Sequence, residues 1–137
     1  MTRERIVIDT NVLISGLLST TSTPAQAVEK AVTNAQLVAT TATLRELMEK
    51  LQSSKFDRYV RPERRDALLE RVASLVEMIE VLQPVRASRD AKDDKFLEAA
   101  VNGRASVIVT GDKDLIGLSP FRGIVILTPA DYLARRT

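Results

Sequence analysis

The chain has 137 residues, enough for one domain with a substantial core. It contains no cysteine and no histidine, which excludes disulfide frameworks, thiolate or imidazole zinc sites, and Ser-His or Cys-His nucleophiles. The formal net charge of +2 is too small to announce a nucleic-acid binder by itself, and a metal would have to be held by oxygen ligands, which favours Mg2+, Mn2+ or Ca2+.

Ile6-Val7-Ile8 is a short β-branched run of the kind a buried strand takes. Apolar residues at 13, 14, 17 and 18 predict a helix over 11–18. Ser19 to Thr23 reads as a polar loop, and Pro24 suits the first turn of a helix reaching about residue 35. Residues 36–39 are a second strand candidate, followed by a helix over 44–53. Lys55 to Arg61 is a basic, partly aromatic connection. Pro62 opens a long helix with Leu68, Leu69, Val72, Leu75, Val76 and Ile79 on one side, a face for the core or for a second copy. Val81 to Val85 reads as a third strand, which Pro84 confines to an edge or an end.

Arg86 to Lys92 is a charged loop. Asp93 or Asp94 starts a helix that Asn102-Gly103 stops. "SVIVT", 106–110, is the clearest strand in the chain. "GDKDLIGLSPFRG" is a loop with room for one helical turn, 124–127 is another strand, and Pro129 begins a terminal helix. With no repeat, low-complexity stretch or linker, 1–137 reads as a single domain. The alternation predicts a three-layer α/β/α fold around a central, mostly parallel sheet of four to five strands. No stretch is long and apolar enough to span a membrane. The first strand begins so near the N-terminus that no secretory leader is expected, which makes a cytoplasmic protein the expectation.

In parallel sheets of this kind, ligands bind beyond the carboxyl ends of the strands. Asp9 follows the first strand and Asp112 follows "SVIVT", so both belong at one edge. Glu46, in the helix after the second strand, and Asp94, opening a later helix, are further candidates, with Asp93 and Asp114 beside them. Converging carboxylates repel one another, and a divalent cation removes the repulsion. Each acid also has a structural reading. Asp9 and Asn11 are good caps for the helix at 11. Glu46 stands three residues after Thr43, as in a capping box. Asp93 and Asp94 suit the positive end of a helix dipole, and Asp90, Asp112 and Asp114 suit turns.

Four stretches together resemble the PIN domain, a family of Mg2+- or Mn2+-dependent nucleases that includes toxins of the VapC kind. "VIDTNVLISGLL" is similar to its opening motif, with Asp9 as the first metal-binding acid and Asn11 supporting it. "TTATLRELMEKL" resembles the second, with Glu46 as the acid. "RDAKDDKFLEAA" resembles the third, where Asp94 is preferred because the helix after it follows the family pattern without a shift, and Asp93 remains the alternative. "VIVTGDKDLI" resembles the fourth, with Asp112 as the acid, Thr110 nearby and Asp114 a further candidate. The resemblance implies that Asp9, Glu46, Asp94 and Asp112 hold one or two divalent ions. It also implies that water attacks an RNA phosphodiester in line, leaving 5′-phosphate and 3′-hydroxyl ends. An antitoxin partner and a homodimer are expected on the same ground.

Phosphate affinity must come from cations around such a pocket. "KFDRYVRPERR" gathers Lys55, Arg58, Arg61, Arg64 and Arg65 with Phe56 and Tyr59, either a solvated helix start or an RNA-backbone contact. Arg89, Lys92 and Lys95 flank the third acid, with Arg89 and Lys95 the closer substrate candidates. Two rival readings stand. A phosphatase of the haloacid dehalogenase kind also places an Asp after its first strand, but it needs a second Asp two residues on, where this chain has Asn11. A PIN-like scaffold that binds RNA or protein without cutting is the other.

Overall fold

Parallel pairing of five apolar runs organises the chain, which a computed structural model describes over residues 3–53 and 60–135. The strands are β1 (Glu4–Ile8), β2 (Ala35–Ala39), β3 (Val76–Met78), β4 (Val107–Val109) and β5 (Val125–Leu127). The helices are α1 (Thr10–Leu18), α2 (Thr23–Asn34), α3 (Thr41–Leu51), α4 (Pro62–Leu75), α5 (Asp94–Asn102), α6 (Lys113–Ile116) and α7 (Pro129–Ala134), with a 3-10 turn at Ala91–Asp93 leading into α5. The sheet order is β3-β2-β1-β4-β5 and every pairing is parallel.

The strand residues are apolar on both faces because helices cover both. Ile6, Ile8, Leu37, Val107 and Val109 pack with α1, α2 and Tyr132 of α7. The residues between them, Val7, Val38 and Ile108, point the other way onto Phe96, Leu97, Ala99 and Ala100 of α5 and Leu115 of α6. This is the two-residue alternation of a strand with both sides buried, and it yields the expected three layers. A smaller cluster, Ile14, Leu47, Leu51 and Val72, locks α1, α3 and α4 together. The apolar side of α4 therefore serves the core at Leu68 and Val72.

Chain order places the site. From β1 the chain steps to β2 and β3 on one side, then returns to β4 and β5 on the other. The connections after β1 and β4 thus leave the sheet in opposite directions, which opens a crevice at their carboxyl ends.

Two expectations about elements are corrected. The third strand is Val76–Met78, not Val81–Val85. Val76 and Ile79 fit a helical stripe as well as a strand, but α4 ends at Leu75 and the next three residues pair at once with Leu37, Val38 and Ala39. In 81–85 the backbone amides turn to side chains instead: Leu82 and Gln83 N–H donate to Asn102 Oδ1, and Val85 N–H donates to Glu98 Oε2. Gly103 does close α5, but in right-handed geometry with φ −86°. The left-handed residue is the next one, Arg104, at φ 56°. Gly103 is needed for closeness: a Cβ there would lie 2.6 Å from the Ala99 carbonyl oxygen and 3.0 Å from Val38 Cγ2.

Gly103→Ala should therefore destabilise the fold by about 1–3 kcal/mol through overpacking, whereas Arg104→Gly should be neutral or stabilise it by up to about 1 kcal/mol. Urea unfolding of the two variants checks this. A Gly103→Ala variant as stable as wild type would contradict the close approach at Gly103.

Candidate metal centre

The first acid is held by the strand that delivers it. Asp9 N–H donates to Val109 O at 3.0 Å, continuing the β1–β4 ladder by one residue. Its side chain, only 6% exposed, caps α1: Oδ1 accepts from Val12 N–H at 2.9 Å. Asp9 Oδ2 accepts from the fully buried Thr110 hydroxyl. Thr110 Oγ1 in turn accepts from Asp112 N–H at 3.0 Å, so one hydroxyl spans the two strand ends. Capping and site geometry are thus combined in Asp9. Burial raises its pKa, and the Asp112 charge adds to that, against the lowering effects of Thr110, the Val12 amide and Lys50.

Asp112 caps α6, its Oδ1 accepting from Asp114 N–H at 2.8 Å and Leu115 N–H at 3.4 Å. One carboxylate oxygen each from Asp93, Asp112 and Asp114 lies within 4.8 Å of the others. Asp93 is buried, and its Oδ2 receives no hydrogen bond from any described donor. Burial and a hydrogen bond with Asp112 push the Asp93 carboxyl up to about 7, and the charges of Asp112, Asp90 and Asp114 add to the shift. A buried carboxyl raised toward neutrality beside two further acids is a place where a positive charge would be favourable. These all-oxygen donors, one of them orphaned and buried, fit a hard divalent cation.

The third acid brought to this group is Asp93, not Asp94. Asp94 Oδ1 accepts from Ala87 N–H at 3.0 Å and Ser88 N–H at 2.8 Å, and so fastens the preceding loop. The reason is helical phase: Asp93 shares a stripe with the buried Phe96, Leu97 and Ala100, three, four and seven residues on. Asp94 is rotated about 100° away from it.

Glu46 approaches from α3. The capping box of that helix is Thr40–Thr43, with Thr40 N–H donating to Thr43 Oγ1 and Thr43 N–H donating to Thr40 Oγ1, so Glu46 has no local capping role. Glu46 Oε2 accepts from the Thr10 hydroxyl, and Oε1 accepts from Lys95 Nζ at 2.9 Å. Burial works to raise the Glu46 pKa, but the Thr10 and Lys95 hydrogen bonds with the Lys50 and Lys95 charges outweigh it and hold the carboxyl below its ordinary range.

The remaining candidates divide. Asn11 neither caps α1 nor hydrogen-bonds Asp9; its Oδ1 accepts from Lys50 Nζ at 3.2 Å at the mouth of the site. An open cleft lined by Asp9, Asn11, Ser15, Gly111 and Asp112 runs past it. Lys95 is committed to Glu46, a pairing across 49 residues that no local pattern signals. Arg61 and Arg89 are exposed, and no described contact ties either to the acids. Arg65 is buried rather than presented to solvent. Lys55, Phe56, Arg58 and Tyr59 lie outside the described residues. No described helix is long and apolar enough to cross a membrane.

Comparison with known proteins was informative at two levels. A sequence profile described as PIN domain matches residues 5–114. The uncharacterized protein MJ1680 of Methanocaldococcus jannaschii is 32% identical over 121 residues, covering 83% of this chain and 74% of that protein. Among solved structures, VapBC2 from Rickettsia felis bound to a DNA fragment from their promoter aligns with TM-score 0.61 at 14% identity, over 89% of this chain and 96% of that one. VapBC-1 from nontypeable Haemophilus influenzae gives 0.60 at 16%, over 92% and 98%. PAE2754 from Pyrobaculum aerophilum gives 0.60 at 16%, over 96% and 91%. At these identities the structural likeness is one of fold.

The raised Asp93 carboxyl has a thermodynamic consequence. Its folded pKa of about 7 exceeds the ordinary 3.8, so the folded chain keeps a proton that the unfolded chain gives up. This contribution to stability is intact below the ordinary value and is lost as pH rises through the folded one. In EDTA at pH 7.5, Asp93→Asn should raise the melting temperature by on the order of 2–8 °C and flatten its fall between pH 4 and pH 7. Added Mn2+ should then stabilise the wild type and not the variant. A variant that melts below wild type in EDTA at pH 7.5 would contradict the raised Asp93 pKa and the burial and neighbouring charge that cause it.

Proposed function

This chain belongs to the PIN-domain family, whose members are nucleases, and we propose that it is a single-domain Mg2+- or Mn2+-dependent ribonuclease that hydrolyses RNA phosphodiester bonds. The observation that carries the reading is the Asp93 carboxyl, buried with an unpartnered oxygen and pressed against Asp112 and Asp114 at the carboxyl edge of the sheet. In this reading Asp9, Asp93 and Asp112 hold the cation, with Asp114 beside them. Asp93 takes the place first given to Asp94. A cation bound there supplies polarised water and neutralises charge on the scissile phosphate.

The chain's own residues have distinct tasks. Thr110 fixes the rotamer of Asp9 by donating to Oδ2, and Val12 N–H fixes the other oxygen, so Asp9 enters the site preorganised. Asp93 would bind a cation in its deprotonated form, so cation affinity would rise with pH through about 7. Lys50 and Lys95 lend positive charge to a site that must accept a polyanion. The cleft past Asn11, Ser15 and Gly111 is open, which suits a polymer better than a small phosphoester. With no His or Cys in the chain, hydrolysis without a protein nucleophile is also the chemistry its composition allows.

RNA as substrate, a protein antitoxin as partner, and self-association as a homodimer rest on the resemblance of the four motifs to toxins of the VapC kind. The fold likeness to VapBC proteins supports the same role.

Incubation of the pure protein with single-stranded RNA and Mn2+ tests the proposal. Cleavage should leave 5′-phosphate ends, stop with EDTA, and fall by on the order of 10²-fold or more in Asp9→Asn and Asp93→Asn. Asp94→Asn should retain cleavage wherever it remains folded. Loss in Asp94→Asn with retention in Asp93→Asn would reverse the assignment. Phosphate release from small phosphoesters without RNA cleavage would favour the phosphatase reading instead.

A further inference from the structure

The acids of this site are not electrostatically equivalent. Asp93, Asp112 and Asp114 form no ion pair with any described lysine or arginine, and one oxygen of each lies within 4.8 Å of the others. Glu46 is the reverse case. Both of its oxygens are occupied, one by the Thr10 hydroxyl and one by the Lys95 ammonium at 2.9 Å. The Lys95 and Glu46 side chains are only 22% and 18% exposed, so solvent screens the pair weakly. Lys50 adds a second ammonium on that side, held to Asn11 Oδ1 at 3.2 Å.

Resting on the nuclease reading, we infer that Lys95 acts as a built-in second cation: its ammonium occupies the Glu46 side of the site, so the chain takes one divalent ion, on the Asp93–Asp112 side. A divalent ion ligated by Glu46 Oε1 would stand against the ammonium already bonded to that oxygen, and like charges at such range repel strongly where screening is weak. Two-metal nucleases place a second ion to neutralise charge on the phosphoryl group. Here a lysine fixed two residues after Asp93, on the same helix, supplies that charge without an ion. Lys95 is in these terms a positioning residue. It sets how many ions enter and where, and it is not a free contact to the RNA backbone.

The test is cation stoichiometry, measured without substrate by Mn2+ titration calorimetry and by counting free Mn2+ in electron paramagnetic resonance. Wild type should bind about one Mn2+ per chain, and Lys95→Met about two, the second weaker than the first. Lys95→Arg, which keeps the charge, should return to about one. The wild-type count alone bears on the inference if Lys95→Met fails to fold. Two ions in wild type, or one ion in a folded Lys95→Met, would overturn the role of Lys95 and leave the nuclease reading standing. No Mn2+ bound by wild type at all would overturn both.

Discussion

The site depends on the parallel pairing of β1 with β4 at the centre of the sheet. Their register, Ile8 beside Val109, carries the ladder one step further to Asp9 N–H and the Val109 carbonyl. That step sets Asp9, just past β1, beside Thr110, just past β4. A single hydroxyl then holds the Asp9 carboxylate and accepts from the Asp112 amide. Because the chain leaves these two strands in opposite directions, the gap between them stays open among the described residues, and Asp9 and Asp112 line a cleft there. Asp93 reaches this edge because Phe96 and Leu97 anchor α5 on the sheet, and Glu46 because Leu47 and Leu51 lock α3 to α1 and α4.

A fold that collects carboxylates must tolerate them. Asp9 is buried yet donated to from two sides, Glu46 is matched by a lysine, and burial with the neighbouring acids raises the Asp93 carboxyl to about 7. These are three solutions to one electrostatic problem. The least satisfied member marks where a positive charge is missing. Sites built for function commonly hold such unrelieved repulsion, at a cost to the stability of the empty fold.

Much of this was legible in the sequence, and the failures have physical causes. "IVI" and "SVIVT" announce buried strands, and the rule that ligands gather at their carboxyl ends suffices to pair Asp9 with Asp112. Adjacent acids at a helix start are harder. Which of Asp93 and Asp94 turns toward Asp112 follows the phase of the apolar stripe at 96, 97 and 100, which was present in the sequence and points to 93. Val76 and Ile79 misled because a stripe of spacing three or four and a two-residue strand alternation can share positions. The Thr43–Glu46 spacing imitates a capping box that Thr40 and Thr43 make instead. The Lys95–Glu46 pair joins helices far apart in the chain, and nothing local foretells it.

On the proposed function, a divalent cation belongs between Asp93 and Asp112. Anomalous diffraction from crystals of the protein soaked in Mn2+ tests it most directly. The account predicts a peak bonded to carboxylate oxygens of Asp93 and Asp112, with Asp94 still fastened to the amides of Ala87 and Ser88. A peak ligated by Asp94, or saturating Mn2+ that leaves the Asp93–Asp112 pair without an ion, would contradict it.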